Sequence, residues 1–492
     1  MNRQIRQLAA GLMLCYMLLF VALNYWQVGR QEEMNARFDN TRAVRREFDQ
    51  PRGPIVTADG VVIADSVAVP PGGDFAFQRR YPTGELFAHV SGYYTFAFGA
   101  TQLERTQNDV LTGETGEQQL RNLPNLITGA DDSGSVRLTM RADLQEVARQ
   151  ALGPREGSIV LMSPRTGAVL AMWSYPSYDP NLVVSPDFDQ AQAVLTFAQN
   201  DPRDPLLANS YQQRYMPGST FKVLTTAIAL TNGVTSPARV YEDVAEFVPP
   251  QTTDPIENYE GTVCGGDLLE VFTRSCNIPF AQMGLELGVD RMAAGVAAWG
   301  VGEPVPIDLP RPAASTFGDT SALDQALPLL AIRGFGQNDV QMVPLHMAMV
   351  ASTIANGGQM MTPYVVDATL AHSGDVLATT TPTVWKTPIT PAVSATIASM
   401  MENVAAEGTA SCCIGLNGGV PVAAKTGTAQ LNGPGQPERS HAWIVAYAPA
   451  NDPQFAVAVM LEGTDAEISA STGGRLAGPI AKTMLDAALG LT

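Results

Sequence analysis

The stretch "YQQRYMPGSTFKVLTTAIAL", residues 211–230, places a serine and a lysine three residues apart just after a Pro-Gly turn. The pattern predicts a helix that starts at this turn and ends at Asn232 and Gly233. Because residues i and i+3 share one face of a helix, Ser219 and Lys222 would be neighbours in the first turn.

This Ser-Lys pair has two interpretations. A lysine in the first turn faces the positive end of the helix dipole, which favours its neutral form. A neutral amine can take the proton of a serine hydroxyl, so Ser219 and Lys222 could be a nucleophile and its base. The same residues also fit a serine that caps the helix and a lysine in solvent, because serine is a common N-cap. The stretch alone leaves both interpretations open.

Two further motifs favour the chemical interpretation. "TRSCNIPF" places Ser275 and Asn277 at the end of a helical run, and "VAAKTGTAQ" places Lys425 in a strand-like run. The chain has only four lysines, and two of them fall in S-x-x-K and K-T-G, with S-x-N between. This ordered set is the signature of β-lactamases and penicillin-binding proteins.

Two apolar hairpins frame this region. "GSIVLMSPRTGAVLAMWSY", residues 157–175, and "HAWIVAYAPANDPQFAVAVMLEG", residues 441–463, each carry two strands around a turn. Helical patterns occupy the sequence between the hairpins, and a closing helix follows the second one. Strands at both ends with helices between them predict an α/β domain, an antiparallel sheet flanked by helices.

The N-terminal part predicts a membrane anchor and a second module. Residues 8–28 are uncharged and long enough to span a bilayer, and Arg3 and Arg6 before them should keep the N-terminus in the cytoplasm. A cleaved signal peptide is disfavoured, because no small-x-small site follows the run. We therefore expect a single-pass protein of the cell membrane, with a cytoplasmic tail (1–7), a transmembrane helix (8–28), a β-rich pedestal (29–140) and an extracytoplasmic catalytic domain (141–492).

The composition of the chain limits the kinds of molecule that it is expected to bind. The net charge of −18 argues against nucleic-acid binding, which needs clustered Lys and Arg. None of the four histidines has ligand spacing to a cysteine or another histidine, so we expect no metal. We also expect no cofactor. Four cysteines lie beyond the anchor, and their even number permits disulfides. Cys264 and Cys276 close a short loop beside Ser275 and are predicted to pair; free thiols are the alternative.

The chain resembles the class B penicillin-binding proteins, the monofunctional peptidoglycan transpeptidases, over nearly its whole length. The resemblance rests on the three motifs and on the segments "QPRGPIVTADGVVIA", "GATQLER", "SYPSYDPN" and "MVPLHMAMVASTIANGG". It is strongest to the actinobacterial penicillin-binding protein A type. It implies a transpeptidase domain of the penicillin-binding and β-lactamase-like fold, behind a dimerisation-like pedestal.

The resemblance also implies roles for the first two motifs. Ser219 would be the acylated nucleophile and Lys222 its general base. Ser275 would relay a proton to the departing D-alanine nitrogen. Asn277 would hydrogen-bond the amide of the donor peptide.

The third motif would bind the substrate. Lys425 would supply positive charge near the substrate carboxylate and help keep Lys222 neutral. The hydroxyls of Thr426 and Thr428 would hold that carboxylate. Gly427 would let the substrate backbone approach the strand edge. The backbone N–H groups of residues 219 and 428 would form the oxyanion hole.

The implied activity is D,D-transpeptidation of stem peptides that end in D-Ala-D-Ala, with β-lactams acylating the same serine. Two alternatives stay open: a D,D-carboxypeptidase, in which water replaces the acceptor amine, and a non-catalytic β-lactam-binding scaffold that activates a glycan polymerase. A polytopic membrane glycosyltransferase is the expected partner, because the resemblance leaves no room for a polymerase domain in residues 29–140.

Overall fold

The computed structural model describes residues 2–25, 48–70, 75–121, 131–432, 439–464, 466–469 and 471–491. The helices, numbered α1 to α16 in chain order, span Asn2–Asn24, Ala88–Ser91, Gln102–Thr106, Asn108–Thr112, Gly116–Arg121, Ala142–Leu152, Pro180–Val183, Phe188–Asn200, Lys222–Thr231, Leu268–Thr273, Ile278–Ala298, Leu327–Arg333, Pro344–Ala355, Pro391–Ala406, Ala466–Ser469 and Gly473–Leu489. The strands, numbered β1 to β19, span Ile55–Val56, Val62–Ala68, Phe77–Arg80, Tyr94–Thr95, Gly99–Ala100, Ser135–Leu138, Gly157–Met162, Val169–Tyr175, Val240–Val244, Glu246–Phe247, Ile256–Glu257, Cys264–Asp267, Met360–Met361, Val366–Leu370, Val376–Thr379, Val384–Lys386, Ala423–Gln430, Ser440–Ala448 and Phe455–Leu461.

A five-stranded antiparallel sheet forms the centre of the larger part of the molecule. Its strand order is β17-β18-β19-β7-β8, so the two hairpins meet where β19 pairs with β7. Every residue of β7 and β18 is buried, as expected for strands covered on both faces. Helices α6, α13 and α16 pack against these strands. The predicted antiparallel sheet, built from strands at both ends of the domain and flanked by helices, is confirmed.

A second sheet combines strands from distant parts of the chain. Its order is β15-β14-β6-β1-β2-β3, with β1 and β6 parallel and the other pairs antiparallel. The β14–β15 hairpin comes from beyond residue 360, whereas the other four strands lie between residues 55 and 138. The sequence predicts a β-rich module in this region, but it does not predict that a later hairpin extends the sheet.

A buried ion pair network holds the N-terminal module together. Glu104 is fully buried, and its two carboxylate oxygens each accept a 2.6 Å hydrogen bond, one from Arg52 and one from Arg79. Burial alone would raise the pKa of Glu104, but the two guanidinium groups hold that pKa below its ordinary value. The three side chains join β3, the segment before β1 and α3.

Helix α1 stands apart from both sheets. Its segment Arg3–Asn24 has a mean hydropathy of 1.8 over its most apolar window, and none of that window is buried in the rest of the molecule. The helix begins earlier than the predicted span of 8–28, and residues 26–28 lie outside the described residues. Its length and composition are compatible with a membrane anchor.

Candidate active site

Ser219 lies in a short 3₁₀ turn, Gly218–Phe221, which leads directly into α9. Gly218 has a φ of +54°, and a Cβ at this position would lie 2.4 Å from the carbonyl oxygen of Thr428. Only glycine combines this backbone with so close an approach. The turn therefore sits against β17 and brings Ser219 beside Thr428.

Lys222 is completely buried, which excludes the interpretation of a lysine in solvent. Its Nζ donates to the backbone carbonyl of Ser275 (2.7 Å) and to Asn277 Oδ1 (2.9 Å). Burial, and then the neighbouring Lys425, hold the pKa of Lys222 well below its ordinary value. A neutral amine has two N–H groups, and these two acceptors use both. The nitrogen lone pair is then free to take a proton.

Lys425 approaches the same serine from β17. Its Nζ donates to Ser275 Oγ at 2.8 Å, while Ser275 Oγ lies 3.3 Å from Lys222 Nζ. The side chain is fully buried, and this burial lowers the pKa of Lys425 to about 7. Ser275 Oγ thus bridges the two lysines, which gives a proton a path between them.

The S-x-N loop is held in an unusual backbone conformation. Ser275 has a φ of +59°, which is uncommon for a residue with a side chain. The next residue, Cys276, forms a disulfide with Cys264, with the Cα atoms 5.8 Å apart. The bond ties the loop to β12. The amide of Asn277 already has partners in the protein, Lys222 Nζ and the carbonyl of Glu257.

The K-T-G segment has partners of its own. Thr426 Oγ1 lies 2.6 Å from the hydroxyl of Thr409, and Thr428 Oγ1 accepts a 3.2 Å hydrogen bond from the N–H of Gly473. The hydroxyl of Thr428 is therefore tied to the start of α16, and that of Thr426 to the segment after α14.

Gly427 is closely packed by the protein's own chain. A Cβ at this position would lie 2.6 Å from the carbonyl oxygen of Pro217 and 2.9 Å from Thr220. These atoms belong to the turn that carries Ser219, which packs directly on this strand. Glycine is needed here for the fold of the site.

The remaining cysteines also have defined states. Cys412 and Cys413 are joined to each other, with Cα atoms 3.7 Å apart, in the loop between α14 and β17. Cys15 is free and exposed on α1. The sequence gives no reason to expect the bond between adjacent cysteines.

Sequence reasoning missed Asn258. This side chain is 4% exposed, and its Oδ1 accepts from the backbone N–H groups of Asn277 and Ile278, at 2.8 and 3.2 Å. It lies in "PIENYEG", which matches none of the motifs. No sequence signal could have found it, because the bonds connect a side chain to backbone groups 19 and 20 residues away.

The assembled site has the parts needed for acyl transfer. A half-buried serine hydroxyl lies at a turn, two buried lysines with lowered pKa flank a bridging serine, and the serine turn meets an edge strand. Lys222, Ser275, Asn277 and Lys425 form one hydrogen-bonded group, and Ser219 lies one helical turn before Lys222. This arrangement is compatible with a nucleophile, a base and a proton relay.

Comparisons with known families give matches to two domain models. Residues 157–486 match the model described as the penicillin binding protein transpeptidase domain. Residues 52–136 match the model described as the penicillin binding protein A dimerisation domain.

Several known proteins align with nearly the whole length of this chain. The peptidoglycan D,D-transpeptidase PbpA of Mycolicibacterium smegmatis is 37% identical over 499 aligned residues, which cover 99% of each chain. PbpA of Mycobacterium tuberculosis is 36% identical over 509 aligned residues, again 99% of each. The structure of penicillin-binding protein A from M. tuberculosis as a ceftriaxone acyl-enzyme complex superposes with a TM-score of 0.83, at 34% identity, over 90% of this chain and 99% of that one.

Proposed function

Because the chain belongs to the penicillin-binding proteins with a transpeptidase domain, we propose that it works as a peptidoglycan D,D-transpeptidase through an acyl-enzyme on Ser219. The relatives carry that activity in their names, and the similar M. tuberculosis structures hold ceftriaxone, penicillin G and imipenem as acyl-enzymes. The single observation that best supports Ser219 is the buried, pKa-lowered Lys222 one helical turn after it.

In the acylation step, Ser219 Oγ attacks the carbonyl carbon between the two D-alanines of the donor stem peptide. Its proton passes to the neutral Nζ of Lys222. The carbonyl oxygen becomes negative and accepts hydrogen bonds from the backbone N–H groups of Ser219 and Thr428. One such donor is worth about 3–4 kcal/mol.

Collapse of this intermediate breaks the C–N bond. The nitrogen of the departing D-alanine takes a proton from Ser275 Oγ, and Lys222 returns one to Ser275 across their 3.3 Å separation. Lys425, charged below a pKa of about 7, attracts the terminal carboxylate of the donor, with Thr426 and Thr428 beside it. Asn277 holds the donor amide.

Cross-linking reverses these steps with a new nucleophile. The side-chain amine of a second stem peptide attacks the acyl carbon and loses a proton to Lys222. The bond to Ser219 Oγ breaks, and the oxygen takes a proton back. An amide has then formed between two strands, and the enzyme has returned to its starting state.

The first experiment is to map the penicillin adduct. Digestion with trypsin isolates residues 215–222, between Arg214 and Lys222, as one peptide that contains Ser219. We expect a single adduct on this peptide, and none in a Ser219→Ala variant. An adduct on another peptide, or equal labelling of the variant, would refute the assignment. Incubation of the acyl-enzyme with an acceptor amine then separates transpeptidation from hydrolysis by the ratio of the two products.

We further propose that α1 crosses the membrane once, with the N-terminus in the cytoplasm and both sheets outside. Arg3 and Arg6 precede the apolar segment, as the positive-inside rule requires of a cytoplasmic end. A protease added to sealed spheroplasts should cleave the catalytic domain from its anchor. If the catalytic domain were completely protected from the protease, the orientation would be the opposite of the one proposed.

The expected partner is a polytopic membrane glycosyltransferase that supplies nascent strands. The surface of α1 is apolar and unburied, so it is available to another membrane helix. Exchanging residues 8–28 for an unrelated span should reduce co-purification with such an enzyme and leave penicillin labelling intact. Equal co-purification after the exchange would exclude α1 as the contact.

A further inference from the structure

Helix α11 is not capped by the residue at its own N-cap. That residue is Asn277, and among the described residues its side chain makes no capping hydrogen bond. Its Oδ1 accepts from Lys222 Nζ at 2.9 Å, and its Nδ2 donates to the carbonyl of Glu257 at 3.0 Å. Asparagine at an N-cap ordinarily accepts from the N–H group two or three residues further on. In α11 these positions are Pro279, which has no N–H, and Phe280, whose N–H bonds to the carbonyl of Asn277. Here the active site uses this side chain instead.

Asn258 supplies the missing cap from another part of the chain. Its Oδ1 accepts from the N–H groups of both Asn277 and Ile278. Its Nδ2 donates to the carbonyls of Val244 (2.9 Å) and Thr262 (3.1 Å). The side chain is almost fully buried, and both ends of its amide are used. It therefore joins the end of β9, the segment before β12 and the start of α11.

We propose that Asn258 is a positioning residue for the transpeptidase reaction, which caps α11 in place of Asn277. This leaves the amide of Asn277 free to face Lys222. The inference rests on the proposed function, because it assigns Asn258 to the same site.

The consequence of losing this cap follows from the two N–H groups that it holds at the start of α11. Without Asn258, the N–H groups of Asn277 and Ile278 lose the acceptor that holds them, and the start of α11 would have to shift to find another. Asn277 would move with the start of the helix and give up Lys222 Nζ. The amine would then lose one of the two acceptors that orient its lone pair.

A double-mutant cycle tests this mechanism, using the second-order rate constant for penicillin acylation. Penicillin labelling of the wild type at Ser219 is measured first. If that labelling is absent, the proposed function fails, and this result is distinct from a failure of the proposal for Asn258. In the wild-type background, Asn258→Ala should lower the rate about tenfold, within the range of coupling between contacting residues. In an Asn277→Ala background, the same change should lower it less than about twofold. An equal loss in both backgrounds would overturn the proposal.

A conservative variant separates positioning from general stability. Asn258→Asp keeps an acceptor for the two N–H groups, at a helix end that favours negative charge, but loses both donors. We expect a lower Tm with an acylation rate within about threefold of the wild type. A rate as low as that of Asn277→Ala would overturn the proposal, and this comparison holds even if Asn258→Ala does not fold.

A matched control exists in Asn181. Its amide also bridges two chain segments, accepting from the N–H and donating to the carbonyl of Tyr81, away from the S-x-N loop. Asn181→Ala should lower the Tm and leave the acylation rate unchanged. If its rate fell as far as that of Asn258→Ala, the effect at Asn258 would be a general loss of stability, and the proposal would fail.

Discussion

Replacing Lys425 with methionine should change both the rate of penicillin acylation and its dependence on pH. Methionine has similar length and fits an apolar site, so the fully buried position keeps its packing. The change removes the donor that lies 2.8 Å from Ser275 Oγ and the charge that we propose attracts the substrate carboxylate. A hydrogen bond to a charged group is worth about 1.5–3 kcal/mol, so the maximal rate should fall about 10–150-fold.

The pH dependence follows from the two pKa values. In the wild type, acylation should rise with pH as Lys222 loses its proton. It should fall again around pH 7 and above, as Lys425 loses its charge, because the pKa of Lys425 is about 7. In the Lys425→Met variant the alkaline decline should disappear, since the titrating group is gone.

The acidic side of the profile should move to higher pH. A neighbouring positive charge disfavours the charged form of Lys222, so its removal raises the pKa of Lys222. Both Nζ atoms contact Ser275 Oγ, at 2.8 and 3.3 Å, which places them at most about 6 Å apart. At this distance the charge of Lys425 acts directly on Lys222, so its removal should move the acidic side of the profile measurably to higher pH.

The assay is stopped-flow acylation from pH 5 to 10, with the Tm measured at each pH. Lys386→Met is the matched control, because this lysine pairs with Glu303 on the surface, and its profile should equal that of the wild type. An alkaline decline that persists in the Lys425→Met variant, or an acidic side that moves to lower pH, would refute the reasoning.

Three further substitutions test contacts that hold the site and the N-terminal module in place. Gly218→Ala should abolish acylation or prevent folding, because its Cβ would lie 2.4 Å from the carbonyl oxygen of Thr428; labelling and circular dichroism distinguish the two. Joint replacement of Cys264 and Cys276 by serine should lower the free energy of unfolding by about 3 kcal/mol, measured by urea denaturation. Glu104→Gln should cost about 3–5 kcal/mol, measured in the same way, because it leaves two buried guanidinium groups without a carboxylate.

Each of these changes has a matched control. Gly233 also has a positive φ, but no atom lies within 4 Å of a Cβ there, so Gly233→Ala should leave labelling intact. Cys15→Ser removes a free thiol and should not change urea denaturation. Asp65→Asn breaks an exposed pair with Arg80, and the Tm should stay the same. If a control variant showed the effect expected of its matched test variant, the cause proposed for that effect would be wrong.

The central sheet and the grouping of the three motifs could be predicted from sequence, because both depend on local patterns. The hairpins have strong apolar strands around polar turns, and the motifs fall at the start of a helix, after a helix and on an edge strand. The sequence also predicts the correct direction for the pKa of Lys222, which lies below its ordinary value. The complete burial of Lys222 and Lys425, which lowers both pKa values most, depends on packing that no local pattern shows.

The features that sequence reasoning missed all depend on contacts across long separations or on backbone groups. The β14–β15 hairpin can be read as two strands, but its pairing with β6 joins residues about 230 positions apart. The partners of Gly427 are a carbonyl and a neighbouring side chain, which leave no signature in the sequence. Asn258 is one of several asparagines, and only the folded chain shows which N–H groups it meets.

The split origin of the central sheet also sets the order in which the protein can fold as it is made. The β7–β8 hairpin is complete at Tyr175, but its partner β19 begins only at Phe455, about 280 residues later. At roughly 5–20 residues per second, that gap lasts about 15–60 s. Throughout this time the apolar edge of β7 has no neighbour, and an open edge of this kind readily pairs with another chain. The time between the two hairpins is therefore when newly made chains are most exposed to aggregation, and slower synthesis across it should reduce the yield of active enzyme.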